Sequence, residues 1–172
     1  MRQPRQRQTG LRKVRPVPLA IRPASTSEVE ALDRIAMAAK AHWGYSAQDL
    51  ALWAQDLHTP PETVTAWPTF VAESEGTVVG FTQLCPTNDP WELVSLWVDP
   101  QHMGQGIGRQ LLWKAIAAAS SSGQRRVRID ADPNALGFYL ACGAKQINAV
   151  PAPISTDTHR VRPQLELIFS GV

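Results

Sequence analysis

Cysteine is scarce: Cys85 and Cys142 are the only two in 172 residues. They provide neither a disulfide framework nor the paired spacing of metal ligands, so no metal is expected and a reducing compartment fits best. Long apolar runs are also missing. Nothing approaches the roughly 18 residues that span a bilayer, and no apolar stretch follows the basic start as a signal peptide requires. A cytoplasmic protein with no membrane partner is the expectation. Acidic residues are missing from residues 1–18, which carry six cations: Arg2, Arg5, Arg7, Arg12, Lys13 and Arg15. Removing those six from the 17 Lys and Arg leaves 11 against 15 Asp and Glu, so the remainder is about −4 despite a formal charge of +2. The basic pI belongs to the first 18 residues, and a nucleic-acid partner is not expected. That segment is rich in Gln, Pro and Arg without periodicity and reads as a disordered tail ahead of one domain over 19–172.

From Leu19 the pattern is regular. Leu19–Arg22 reads as a strand, and Ser25 with Glu28 has the spacing of a capping box. Val29, Leu32, Ile35, Ala36 and Ala39 then recur at helical spacing, giving a first helix to about Lys40. Gly44 stops it. Ser46 and Asp49 open a second helix running to about Leu57, with Pro60-Pro61 as its terminator. Thr69–Ser74 and Thr77–Leu84 flank Glu75-Gly76 as a hairpin. Asn88-Asp89-Pro90 is a turn leading into a strand over Glu92–Val98. Ile107–Ala119 is a helix, Arg126–Ala131 a strand, Asn134–Cys142 a short helix stopped by Gly143, and Lys145–Val150 and Gln164–Phe169 the last strands around a long loop, Pro151–Pro163. The fold class is α/β, one domain with a central mixed, mostly antiparallel sheet flanked by helices.

Gly104-Gln105-Gly106-Ile107-Gly108 lies between a strand that stops at Pro100 and a helix that starts near Ile107. Glycines let the backbone approach a ligand closely, and the first helical amides point outward unpaired with the positive end of the helix dipole. Together they suit a phosphate or pyrophosphate. A P-loop requires Gly-Lys-Ser/Thr here, whereas the chain has Gly108-Arg109-Gln110. A dinucleotide fingerprint requires glycine at 109.

Leu96-Trp97-Val98-Asp99-Pro100 continuing through Gly104–Leu112 resembles motif A of the GNAT superfamily of N-acetyltransferases, Arg/Gln-x-x-Gly-x-Gly/Ala. Met103 stands at its first position, a departure that backbone contacts should tolerate. Asp130-Ala131-Asp132-Pro133-Asn134 through Phe138-Tyr139 to Gly143-Ala144 resembles the family's motif B. The resemblance covers about residues 19–170 and is strongest over 92–143. It implies acetyl-coenzyme A as cosubstrate, with Met103, Gly104, Gln105, Gly106, Ile107, Gly108 and Arg109 around the pyrophosphate. It places Leu96 and Val98 along the pantetheine, with a backbone N–H there as oxyanion donor, and Asn134 on the cofactor arm.

By the same resemblance Tyr139 is the general acid for the departing thiolate. A phenol near pKa 10 is a weaker acid than a thiol near 8.5, so full proton transfer runs uphill by about 2 kcal/mol. Tyr139 therefore acts as a hydrogen-bond donor to developing charge, or with its pKa lowered by its surroundings; the competing reading is a satisfied core tyrosine. Cys142 reads as a packed cysteine, since no His is near in sequence.

On the acceptor side, Glu92 occupies the place where several family members carry a glutamate base, against a solvent-facing strand-end residue. With an ordinary pKa near 4.3 it would act through water or by orienting the amine. His42-Trp43-Gly44-Tyr45 resembles an element of a bacterial subset of the family and places Trp43 and Tyr45 in the acceptor wall, against plain packing. Ser155 and Arg160 are further candidates, with Arg160 drawing a carboxylate or phosphate, against a solvated loop cation. The expected activity is direct acetyl transfer to an amine of a small molecule, peptide or protein. The alternatives are an inactive acyl-coenzyme A-binding module of the same fold and an unrelated nucleotide-phosphate binder. A homodimer is left open.

Overall fold

Thr69–Ser74 (β2) and Thr77–Cys85 (β3) alternate in the way that fixes the layers of the molecule. The structure, a computed structural model, describes residues 19–86 and 89–170. Val71 and Phe81 face each other across the two strands and pack with Leu32, Ile35 and Ala36 of Val29–His42 (α1). Ala72, next to Val71, packs instead with Ile107 and Leu111 of Ile107–Ser121 (α4), and Val79 joins it there because it is the extra residue of a bulge between Val78 and Gly80. Successive strand residues point to opposite faces, so α1 covers one face of the sheet and α4 the other.

The remaining elements are Leu19–Pro23 (β1), Ala47–Trp53 (α2), Pro61–Ala66 (α3), Trp91–Val98 (β4), Arg126–Asp130 (β5), Leu136–Ala141 (α5), Lys145–Pro151 (β6) and Val161–Ile168 (β7). The seven strands form one sheet in the order β1-β2-β3-β4-β5-β7-β6. Only β4 and β5 pair in parallel. The largest core cluster joins α4 and α5 to the second half of the sheet through Leu112, Ile116, Tyr139, Val127 and Leu165.

Three expectations change. Pro60-Pro61 does not end a segment: Pro61 is the first residue of α3, where its missing N–H costs nothing. β7 begins at Val161 rather than Gln164, which shortens the loop after β6. Ser25 and Glu28 do form the capping box, but around a 3-10 turn over Thr26–Glu28 that leads into α1. Residues 1–18, and Asn88 of the expected turn, lie outside the described residues.

Two irregularities open the sheet. Gln83 faces Ser95 and Leu84 faces Leu93, so Val94 is an extra residue on β4, a bulge that bends the strand. The pairing of β4 with β5 runs only from Trp91 to Leu93. Beyond that point the edge of β4 is separate from β5, and a wedge opens between them.

Candidate active site

The wedge is a cleft of about 410 Å³. Its floor is Leu96, Trp97 and Val98 of β4; one wall is the segment from His102 to Arg109, and the other is Asn134, Ala135, Phe138 and Tyr139. Ala39 and Trp43 close the top from α1 and its C-terminal end.

The glycine segment leaves the first amides of α4 open to the cleft. Asp99 caps a short 3-10 turn over Pro100–His102 by accepting from the Gln101 amide at 2.9 Å. The chain then needs two left-handed residues, Gly104 at φ 75° and Gly106 at φ 81°, a region other residues enter only with strain. Gly106 is the N-cap of α4 and has no side chain to satisfy the helix amides. Gln110 N bonds Gly106 O at 3.2 Å, which leaves the amides of Ile107, Gly108 and Arg109 without an intrahelical partner. No acidic residue stands in the first turn to compete for them. Gly108 serves packing instead. A Cβ there would sit 3.4 Å from the Phe138 ring, in van der Waals contact with α5. Pyrophosphate chemistry fits this cradle.

Tyr139 lines the cleft at 7% exposure, packed edge-on to Phe138 at 5.1 Å. Burial, with a smaller contribution from Cys142, pushes its phenol above the ordinary tyrosine value. The lowered pKa held open from sequence is therefore corrected: nothing near the ring stabilises a phenolate. Cys142 itself is buried in the core cluster, which contains no histidine.

A second cavity, about 430 Å³, adjoins the first. Trp97 lines both, and their walls continue one another, Ala39 beside Lys40 and Asn134 beside Asp132. Trp53 and Leu57, Asp130 and Asp132, and Ala152, Arg160 and Arg162 complete most of this second lining. Asp130 is held by Arg162 at 2.7 Å and Gln164 at 2.6 Å.

The sequence candidates divide between these cavities. Leu96, Val98, Met103, Gly104, Gly106, Ile107, Gly108, Arg109, Asn134, Tyr139 and Trp43 line the first; Gln105 is exposed and outside it. Trp43 thus borders the first cavity rather than the second, 6.0 Å from Trp97 centroid to centroid. Arg160 lines the second cavity, but not as a loop cation: it is 7% exposed and bonded to Asp132 at 3.1 Å. Tyr45 lines neither cavity and gives its hydroxyl to Asp132. Ser155 bonds Asp49 through both its amide and hydroxyl, at 3.1 and 2.9 Å. Glu92 is half-buried, in register with Cys85 and Arg128, and borders neither cavity.

Sequence reasoning passed over Lys40, Trp53, Trp97, His102 and Asp132. Lys40 carried a signal: it falls one turn after Ala36 on the apolar stripe of α1, and it is 8% exposed. His102 Nδ1 is buried without a hydrogen bond; Asp99 Oδ1, at 3.5 Å, is a charge neighbour too distant to count as one. Among the described residues no group of three or more His, Cys, Asp and Glu is placed to hold a metal ion, and no helix is long and apolar enough to cross a membrane.

The sequence model of the Acetyltransferase (GNAT) family matches residues 29–144. Human N-acetyltransferase 8B is 35% identical over 86 residues, which cover 45% of this chain and 38% of that protein. The match thus spans well under half of that relative's length. PaiA N-acetyltransferase of Thermoplasma acidophilum, solved in complex with coenzyme A, superposes with a TM-score of 0.72 at 20% identity, covering 88% of this chain and 99% of that one. YncA of Salmonella typhimurium, solved with its cofactor acetyl-CoA, gives 0.66 at 20% identity, covering 89% and 95%.

Proposed function

The chain belongs to the acetyltransferase (GNAT) family, and we propose that it moves an acetyl group from acetyl-coenzyme A directly to an amine. The observation that carries this reading is the wedge itself. One end of the wedge is an anion cradle at the N-terminus of α4, and its floor is the separated edge of β4. Tyr139 stands on the wall opposite the cradle.

In this reading the glycine segment and the amides of Ile107, Gly108 and Arg109 hold the pyrophosphate. Leu96, Trp97 and Val98 flank the pantetheine, and an N–H of that edge receives the carbonyl oxygen as it becomes an oxyanion. Asn134 spends its amide hydrogens on Asp132 and Tyr45, at 2.9 and 3.0 Å. Its Oδ1 is the atom left to accept from a pantetheine amide. The amine nitrogen attacks the thioester carbon; the C–N bond forms, the C–S bond breaks, and the amine proton leaves to solvent. Tyr139 donates a hydrogen bond to the sulfur as it gains charge, and its raised pKa keeps that hydrogen on oxygen. With Glu92 away from both cavities, its contribution to amine deprotonation is indirect, through water.

The acceptor enters from the second cavity, past Trp97, and is a small-molecule or peptide amine. Arg160 contributes to that site as part of its wall. The protein acts in the cytoplasm.

Initial rates of thiol release across an amine panel, with acetyl-coenzyme A varied, test the reaction. Intersecting double-reciprocal lines are expected. Parallel lines with an acetylated enzyme in intact-mass spectra would replace direct attack with a covalent route.

A further inference from the structure

Two stretches far away in sequence, residues 40–45 and Arg160, converge with Asn134 of its own turn on one buried carboxylate, Asp132, which is 9% exposed between β5 and α5. From α1, Lys40 Nζ reaches Oδ2 at 2.5 Å. From the loop after α1, Tyr45 Oη approaches both oxygens, at 2.9 and 2.8 Å. From the loop between β6 and β7, Arg160 Nη2 donates to Oδ2 at 3.1 Å. From the turn before α5, the Asn134 backbone and side-chain nitrogens both donate to Oδ1 at 2.9 Å.

Each partner also fixes its own surroundings. Arg160 Nη1 bonds Ala152 O at 3.1 Å and so clamps the two ends of the β6–β7 loop. Trp53 of α2 lies 4.4 Å from Lys40 Nζ and 5.4 Å from the Arg160 guanidinium, and stacks edge-on with Tyr45 at 4.9 Å. Lys40, Trp53, Asp132, Ala152 and Arg160 are all lining residues of the second cavity. Asp132 therefore ties lining residues of α1 and of the β6–β7 loop together, seven residues before Tyr139 in the chain. A carboxylate suits the post: it accepts on both oxygens at once and answers two buried cations, and Arg160's charge also acts on Asp49.

We propose that Asp132 is the positioning residue of the acceptor site. It locks Lys40 and Arg160 into one wall, braced by Tyr45, and holds that wall in register with the segment carrying Asn134 and Tyr139. The proposal rests on the acetyl-transfer reading above. Its consequence is specific: loosening Asp132 spoils the acceptor side far more than the pyrophosphate cradle, which takes no part in the network.

The test is steady-state kinetics with acetyl-coenzyme A and an amine that supports thiol release. Asp132→Asn is expected to raise the acceptor KM by at least about ten-fold and the acetyl-coenzyme A KM by a smaller factor, no more than about five-fold, through the loosened Asn134. Tyr45→Phe, which keeps every charge, is expected to move the acceptor KM the same way by about three- to five-fold. Asp132→Asn strands two cations, so Asp132→Asn/Lys40→Met, which removes one of them, separates folding from positioning: it regains part of the lost Tm while the acceptor KM stays high. An acceptor KM that recovers together with Tm, or that neither single variant changes, overturns the proposal. If the wild-type protein releases no thiol with any amine, the functional reading fails by itself. Asp132 is then judged by hydrogen exchange, where residues 43–46 and 152–160 should gain exchange together in Tyr45→Phe; unchanged protection of both segments would overturn it.

Discussion

Lys40 and Asp132 stand 92 positions apart and meet at 2.5 Å, with side chains only 10% and 4% exposed. Burial pulls the Lys40 ammonium below the ordinary lysine value against the pull of Asp132. Burial pushes Asp132 up, but the bonds from Lys40 and the Asn134 amide outweigh it and hold the carboxyl below its usual value. Removing one partner of a buried pair leaves an uncompensated charge, so Asp132→Asn should cost about 3–5 kcal/mol. Because the native pKa is depressed, the carboxylate's contribution is complete above the unfolded value of about 3.9 and is lost as pH falls through the native value. Thermal melts from pH 7 to 2 should show the gap between wild type and Asp132→Asn closing only below about pH 4.

Gly106→Asp should abolish coenzyme A binding, weakening it by more than about a hundred-fold. It combines a strained left-handed residue with negative charge at the helix amides. A Cβ at Gly106 meets nothing within 4 Å, so Gly106→Ala isolates the backbone strain. That variant should lose less than about ten-fold, or under about 1.4 kcal/mol. Calorimetric titration with coenzyme A reads both.

Tyr139→Phe should lower kcat by about 10- to 100-fold while coenzyme A affinity stays within about two-fold. The raised native pKa also has a stability signature. The buried phenol contributes fully below the unfolded value of about 10, and the contribution is lost as pH rises above it toward the native value. Melts between pH 8 and 11 should therefore show wild type losing stability relative to Tyr139→Phe only above about pH 10.

Gly80→Ala should destabilise the protein by about 1–3 kcal/mol. The new Cβ would sit 2.9 Å from the Trp97 carbonyl oxygen and 3.1 Å from Leu111 Cδ1, wedging β4 and α4 apart. Thermal denaturation measures the loss. The acetyl-coenzyme A KM should rise with it, because both elements border the cleft.

How much of the fold and site is legible in sequence depends on how local each signal is. The Gly104–Gly108 loop and the Ser25–Glu28 box are written within a few residues: the loop opens α4, and the box forms around a 3-10 turn. The sheet and its two covered faces follow from periods of two and 3.6 residues. Pro61 misleads because a proline can end one helix or begin the next, and only packing decides which. Val94 is invisible as a bulge, since the extra residue exists only relative to β3. Asp132 is harder still: an acid between Ala131 and Pro133 reads as a turn residue until Lys40, Tyr45 and Arg160 arrive from elsewhere. Arg160 likewise reads as a loop cation, because the partner that buries it lies 28 positions back.

Amine-dependent thiol release from acetyl-coenzyme A by the wild-type protein tests direct acetyl transfer more directly than any variant. Release above the slow background hydrolysis should appear with at least one class of amine, matched mole for mole by acetylated product. Tight binding of coenzyme A with no amine-dependent release across the panel would contradict acetyl transfer, and would leave a binding module on the same fold.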